Sequence, residues 1–199
     1  MSDTVRSLKS FTPLTSRFEE ALLYAARLHA NQRRKGGSTP YVAHLLGVTA
    51  LVLENGGDED QAIAALLHDA VEDQGGMETL IEIRARFGER VASIVESCTD
   101  AFTTPKPPWQ LRKENYIAHL RNAPAETRLV SLADKLHNAR SILRSLRVDG
   151  ESLWQRFKGG KEGTLWYYRT LVSVFRETGR DFMTTELERV VAQIEQLSE

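Results

Sequence analysis

The strongest constraint on this chain lies between residues 63 and 73. Ile63, Leu66, Leu67, Ala70 and Val71 follow the spacing of a strongly apolar helix, yet His68, Asp69, Glu72 and Asp73 occupy the same stretch. Burying an imidazole and three carboxylates without partners costs several kcal/mol, so the fold must bring something to them. On a continuous helix His68 and Glu72 lie four residues apart on one face, and Asp69 and Asp73 form the adjacent stripe. Both stripes can then look into one cavity.

A divalent cation is the economical counterpart. Neutral imidazole and carboxylate suit ions such as Mn²⁺, Fe²⁺ or Zn²⁺, and the ion's charge offsets the acids. His68 and Asp69 supply only two ligands. His44, in the apolar run Val42-Ala43-His44-Leu45-Leu46, is a third candidate, and Asp134, in Leu129-Val130-Ser131-Leu132-Ala133-Asp134, is a fourth. Each alone reads more readily as a satisfied core or surface histidine, or as a solvated or capping helix carboxylate. Taken together, each inside an apolar helix, they form a set that packing does not explain.

The rest of the sequence is also helical in period. Ser16 and Glu19 have the spacing of a capping box, and Phe18, Leu22, Ala25 and His29 follow as a stripe. After the basic loop at residues 32–40, a second helix carries Val42, Leu45, Val48, Leu51 and Val52 and closes at Asn55-Gly56-Gly57. Asp58 and Gln61 make another box ahead of a third helix that runs through Val71 and stops before Gly75-Gly76. Two short helices separated by Gly88 follow, then a proline-containing loop at residues 103–108 that could form a rim or lid. A helix through Tyr116, a long one from about Pro124 to Leu146, and two or three more to Leu197 complete the chain. The expected fold is all-α, a bundle of roughly eight to ten helices. Residues 1–15 are expected to be a flexible N-terminal segment and residues 16–199 a single domain.

With 26 basic against 27 acidic residues and a formal net charge of −1, the chain has no electrostatic bias toward nucleic acid or an anionic membrane. No apolar run approaches the ~20 residues of a membrane-spanning helix. Cys98 is the single cysteine and cannot form an internal disulfide, and the opening MSDTVRSLKS lacks the apolar stretch of a secretory signal. The cytoplasm is therefore the expected compartment. Cys98 itself reads as packing at a helix end.

In chain order, His44, His68-Asp69 and Asp134 match the H…HD…D signature of HD metal-dependent phosphohydrolases. The surrounding motifs are Arg34-Lys35-Gly36, Pro40-Tyr41-Val42-Ala43-His44, His68-Asp69-Ala70-Val71-Glu72-Asp73, Cys98-Thr99-Asp100 and Leu132-Ala133-Asp134-Lys135-Leu136-His137-Asn138. With them the chain resembles, from Phe18 to Arg176, the hydrolase domain of RelA/SpoT-type enzymes, and most closely the stand-alone small alarmone hydrolases. The resemblance implies an HD-domain fold and hydrolysis of the alarmones ppGpp and pppGpp at the 3′-pyrophosphate, giving GDP or GTP plus pyrophosphate, usually with Mn²⁺. Carried across, His44, His68, Asp69 and Asp134 would hold the ion, while Glu72 and Asp73 would orient and help deprotonate the attacking water. Asn138 would contact the substrate, and Arg34 and Lys35 would face the phosphates or brace the ligands. Tyr168 would lie beside the guanosine or serve as core packing. Lys106, Arg112, Lys113, Lys158 and Lys161 are further cations to which no role is assigned.

Two other readings fit the same residues. One is an HD hydrolase acting on another phosphorylated nucleotide, such as a dinucleotide cofactor's ribose phosphate or a pyrophosphorylated nucleic-acid end. The other is a module that binds an alarmone without hydrolysing it, against which stands the intact set from His44 to Asn138.

Overall fold

The structure, a computed structural model, describes residues 13–100, 105–179 and 181–199. The N-terminal segment expected to be flexible lies outside these residues as far as residue 12, and so do Thr103 and Thr104 of the proline-containing loop. Among the described residues the chain forms α1 (Ser16–Leu28), α2 (Val42–Glu54), α3 (Glu59–Leu67), α4 (Ala70–Gln74), α5 (Gly76–Phe87) and α6 (Glu89–Cys98). These are followed by α7 (Trp109–Asn122), α8 (Ala125–Asp149), a 3₁₀ helix (Gly150–Arg156), α9 (Gly160–Thr178) and α10 (Phe182–Leu197). The fold is all-α, as the periodicity requires. An isolated bridge between Arg33 and Pro40 is the only β pairing among the described residues.

The bundle is built around α3. Ala62 to Leu67 are all fully buried, and a helix apolar on every side must be surrounded. α1, α2, α6 and α8 pack around it. α8 is the second axis, 25 residues and so about 37 Å long, and it also packs on α9, α10 and the 3₁₀ helix. Pro108 and Pro124 precede α7 and α8, where a missing N–H costs nothing. No helix among the described residues is long and apolar enough to cross a membrane.

Two local expectations are corrected. The N-cap of α1 is Thr15, not Ser16: Thr15 is extended, and its hydroxyl accepts from the Arg17 N–H at 3.2 Å. The reciprocal carboxylate comes from another helix, since the Thr15 N–H donates to Glu59 at 2.5 Å. The box at Asp58 and Gln61 forms as its spacing predicts. The third helix is not continuous: α3 ends at Leu67 and α4 begins at Ala70, with His68 and Asp69 at the break. Side chains of neighbouring residues diverge by roughly 100° on a straight helix. The break lets this pair converge, and Asp69 Oδ2 lies 3.0 Å from His68 Nε2.

Candidate active site

Three elements bring the four candidate ligands together: α2 supplies His44, the α3–α4 break His68 and Asp69, and α8 Asp134. His44, His68 and Asp134 are buried, and each offers one ligand atom within 4.8 Å of the others. Asp134 Oδ1 lies 3.2 Å from His44 Nε2 and 3.5 Å from His68 Nε2. Asp69 stands beside them, with Oδ2 3.5 Å from His44 Nε2. Despite these distances, both Nε2 atoms are buried without an aligned hydrogen-bond partner. Groups aimed at a shared point rather than at one another behave in this way, and the set fits a divalent cation.

The surrounding groups prepare these atoms. His68 donates from Nδ1 to the Ala65 carbonyl at 2.8 Å, which leaves its Nε2 lone pair free. Tyr41 donates from its hydroxyl to Asp69 Oδ2 at 2.6 Å. Asp134 accepts from Lys135 Nζ at 2.6 Å on Oδ2 and from Asn138 Nδ2 at 2.5 Å on Oδ1. Burial opposes charge on His68, but Asp69 and Asp134 outweigh it and raise its pKa well above the ordinary range. Burial likewise opposes charge on the two carboxylates, yet His68 beside Asp69, and Lys135 beside Asp134, hold both well below the usual range. Such a cluster attracts positive charge, which a proton or a metal ion can supply.

Glu72 and Asp73, on α4, face the same cavity. Glu72 Oε1 accepts from Lys106 Nζ at 2.7 Å, while burial and the neighbouring Asp100 carboxylate raise its pKa. Asp73 Oδ2 accepts from Gln32 Nε2 at 2.7 Å, and Gln32 Oε1 is in turn 2.7 Å from His29 Nδ1. The basic loop is pinned by Arg34 N–H donating to the Thr39 carbonyl and Tyr41 N–H donating to the Gln32 carbonyl. From it Arg34 Nη2 donates to Asn138 Oδ1 at 2.6 Å, so Asn138 bridges the loop to Asp134.

The cavity measures about 920 Å³. Arg34, Lys35, Lys106, Arg144, Arg156 and Lys158 are among its lining cations. Tyr168 is buried and also lines the cavity wall. Arg112 and Lys113 line the cavity too and both bind Asp100 at 2.6 Å. Lys161 points elsewhere, toward Glu151 and the Ser198 carbonyl. Sequence reasoning assigned no role to Tyr41, Gln32 or His137. For Tyr41, the available signal was its place three residues before a candidate ligand. Cys98 is free, with Sγ 3.6 Å from Ser131 Oγ, and it is not among the residues lining the cavity.

Comparison with known proteins identifies the family. The HD domain family matches residues 21–165. The guanosine-3′,5′-bis(diphosphate) 3′-pyrophosphohydrolase MESH1 of Xenopus tropicalis is 44% identical over 128 residues, 63% of this chain and 69% of that protein. Its Homo sapiens counterpart is 41% identical over 128 residues, with the same 63% and 69% coverage. A solved structure described as a metazoan ortholog of SpoT that hydrolyzes ppGpp and plays a role in starvation responses matches with a TM-score of 0.76 at 29% identity. It covers 92% of this chain and 98% of that one. The chain belongs to the HD-domain family, in the group that holds MESH1 and the SpoT-like ppGpp hydrolases.

Proposed function

We propose that this protein hydrolyses the 3′-pyrophosphate of ppGpp and pppGpp, releasing GDP or GTP and pyrophosphate and so lowering alarmone levels. The observation that carries the reading is the convergence of His44, His68, Asp69 and Asp134 beside Glu72 and Asp73 in a cation-lined cavity. The names of its relatives support the choice of substrate.

The four ligands would hold a divalent ion, proposed as Mn²⁺, which when bound polarises a phosphoryl oxygen and makes water more acidic. Glu72 and Asp73 orient the attacking water and accept its proton. The water oxygen bonds to phosphorus, the bond from that phosphorus to the ribose 3′-oxygen breaks, and the 3′-hydroxyl regains a proton. Gln32 holds Asp73 for this task, and Lys106 holds Glu72. Arg34 and Lys35 meet the phosphates, Asn138 contacts the substrate from its bridge between Arg34 and Asp134, and Tyr168 forms part of the nucleoside wall. Residues 16–199 act as one hydrolase domain, in the cytoplasm.

The test is pyrophosphate release from ppGpp by purified protein with Mn²⁺, with chelator, and in the Asp69→Ala variant. Release that depends on Mn²⁺ and vanishes in the other two arms is expected. Folded, Mn²⁺-loaded protein that releases none would overturn the substrate and send the search to other phosphorylated nucleotides.

A further inference from the structure

His137 lies in the same run as Asp134 and Asn138 yet takes no part in the chemistry above. Its Nδ1 is 2.8 Å from Nδ1 of His44, a residue 93 positions away, and the two rings are tilted at 57° with centroids 4.8 Å apart. Two imidazole nitrogens at that distance share one proton, so one donates and the other accepts. If His44 is to offer its Nε2 lone pair to an ion, its proton sits on Nδ1 and His137 is the acceptor. The Ala65 carbonyl plays the matching part for His68.

The His137 ring reaches this position through a gap in α2. A Cβ added at Gly47 would fall 2.4 Å from both Cδ2 and Nε2 of His137. Glycine is a poor residue for a helix interior, and here the missing side chain is the space the imidazole fills.

We infer that His137 is a positioning residue for the metal centre: seated against Gly47, it accepts the Nδ1 proton of His44 and fixes the tautomer and ring orientation that turn Nε2 toward Asp69 and Asp134. The inference rests on His44 being a ligand. It is tested by calorimetric titration of Mn²⁺ into metal-free protein for the wild type, His137→Phe, His137→Asn and His44→Ala. Phenylalanine keeps a ring but no acceptor, whereas asparagine offers Oδ1 close to where Nδ1 stood. His137→Phe is expected to weaken Mn²⁺ binding by about 10–100-fold, the usual effect of losing a ligand's outer partner. His137→Asn should return affinity to within a few-fold of wild type, and both metal-free variants should melt close to wild type. His137→Leu replaces the phenylalanine variant if that one does not fold. Unchanged affinity without the acceptor, or equal loss in the asparagine variant, would overturn the positioning role. His44→Ala that binds Mn²⁺ like wild type would remove the ligand itself, a separate failure that the same titrations distinguish.

Discussion

Glu72 is held between opposite influences: Lys106 donates to it at 2.7 Å, while burial and Asp100 raise its pKa above the ordinary 4.5. A raised carboxyl is a stronger base, but it also keeps its proton to a higher pH than a free glutamate does. Activity that needs Glu72 unprotonated should therefore fall on an acid limb lying above pH 4.5. Glu72→Gln and Asp73→Asn are expected to bind Mn²⁺ within a few-fold of wild type and to lose about 10²–10⁴-fold in kcat. Pyrophosphate release across pH, with parallel calorimetry, checks both; wild-type rates in the two variants would remove these roles. The candidate ligands were legible because each is a polar residue inside an apolar run. Gln32, Tyr41 and His137 were less so, since their partners Asp73, Asp69 and His44 stand 41, 28 and 93 positions away and nothing local looks anomalous.

At the scale of elements, helix order and approximate extent were readable from period and caps, as at Asp58 and Gln61. What misled was tertiary. The Thr15 N–H is satisfied by Glu59 of α3, which no local spacing announces, and the third helix yields at His68 and Asp69 where two neighbouring side chains must face one point. Gly47 shows the same conflict. Alanine in place of a helix-interior glycine ordinarily stabilises by about 1 kcal/mol. Because the new Cβ would meet the His137 ring at 2.4 Å, Gly47→Ala is instead expected to cost about 1–3 kcal/mol. Urea unfolding measures this, and a gain in stability would show that the ring gives way freely.

For the molecule as a whole, the site exists only when the bundle is closed, since α2, α4, α7, α8, α9, the 3₁₀ helix and the basic loop all contribute to its walls. Asp100 fastens one side of it. Burial would raise this carboxyl, but Lys113 and Arg112 outweigh burial and hold it at about 2. Its folded pKa is thus below the ordinary 3.8, so the stability it contributes is present above that value and is lost as pH falls toward 2. Asp100→Asn removes the carboxylate that both largely buried cations bind, leaving Arg112 only Glu72 at 4.0 Å, and is expected to cost about 3–5 kcal/mol near neutral pH. In urea unfolding the gap between wild type and variant should narrow as the solution is acidified below 3.8; a gap indifferent to pH would tell against the ion cluster.

α8 has one further consequence. It carries Asp134 at the ligand cluster and Arg144 farther along the same cavity wall, without interruption between them. The ten-residue step fixes about 15 Å along the helix axis, and packing against α10 and α2 leaves no loop in between to change it. The helix is a ruler: it sets the spacing between the acidic end of the cavity and a guanidinium on its wall by backbone geometry alone.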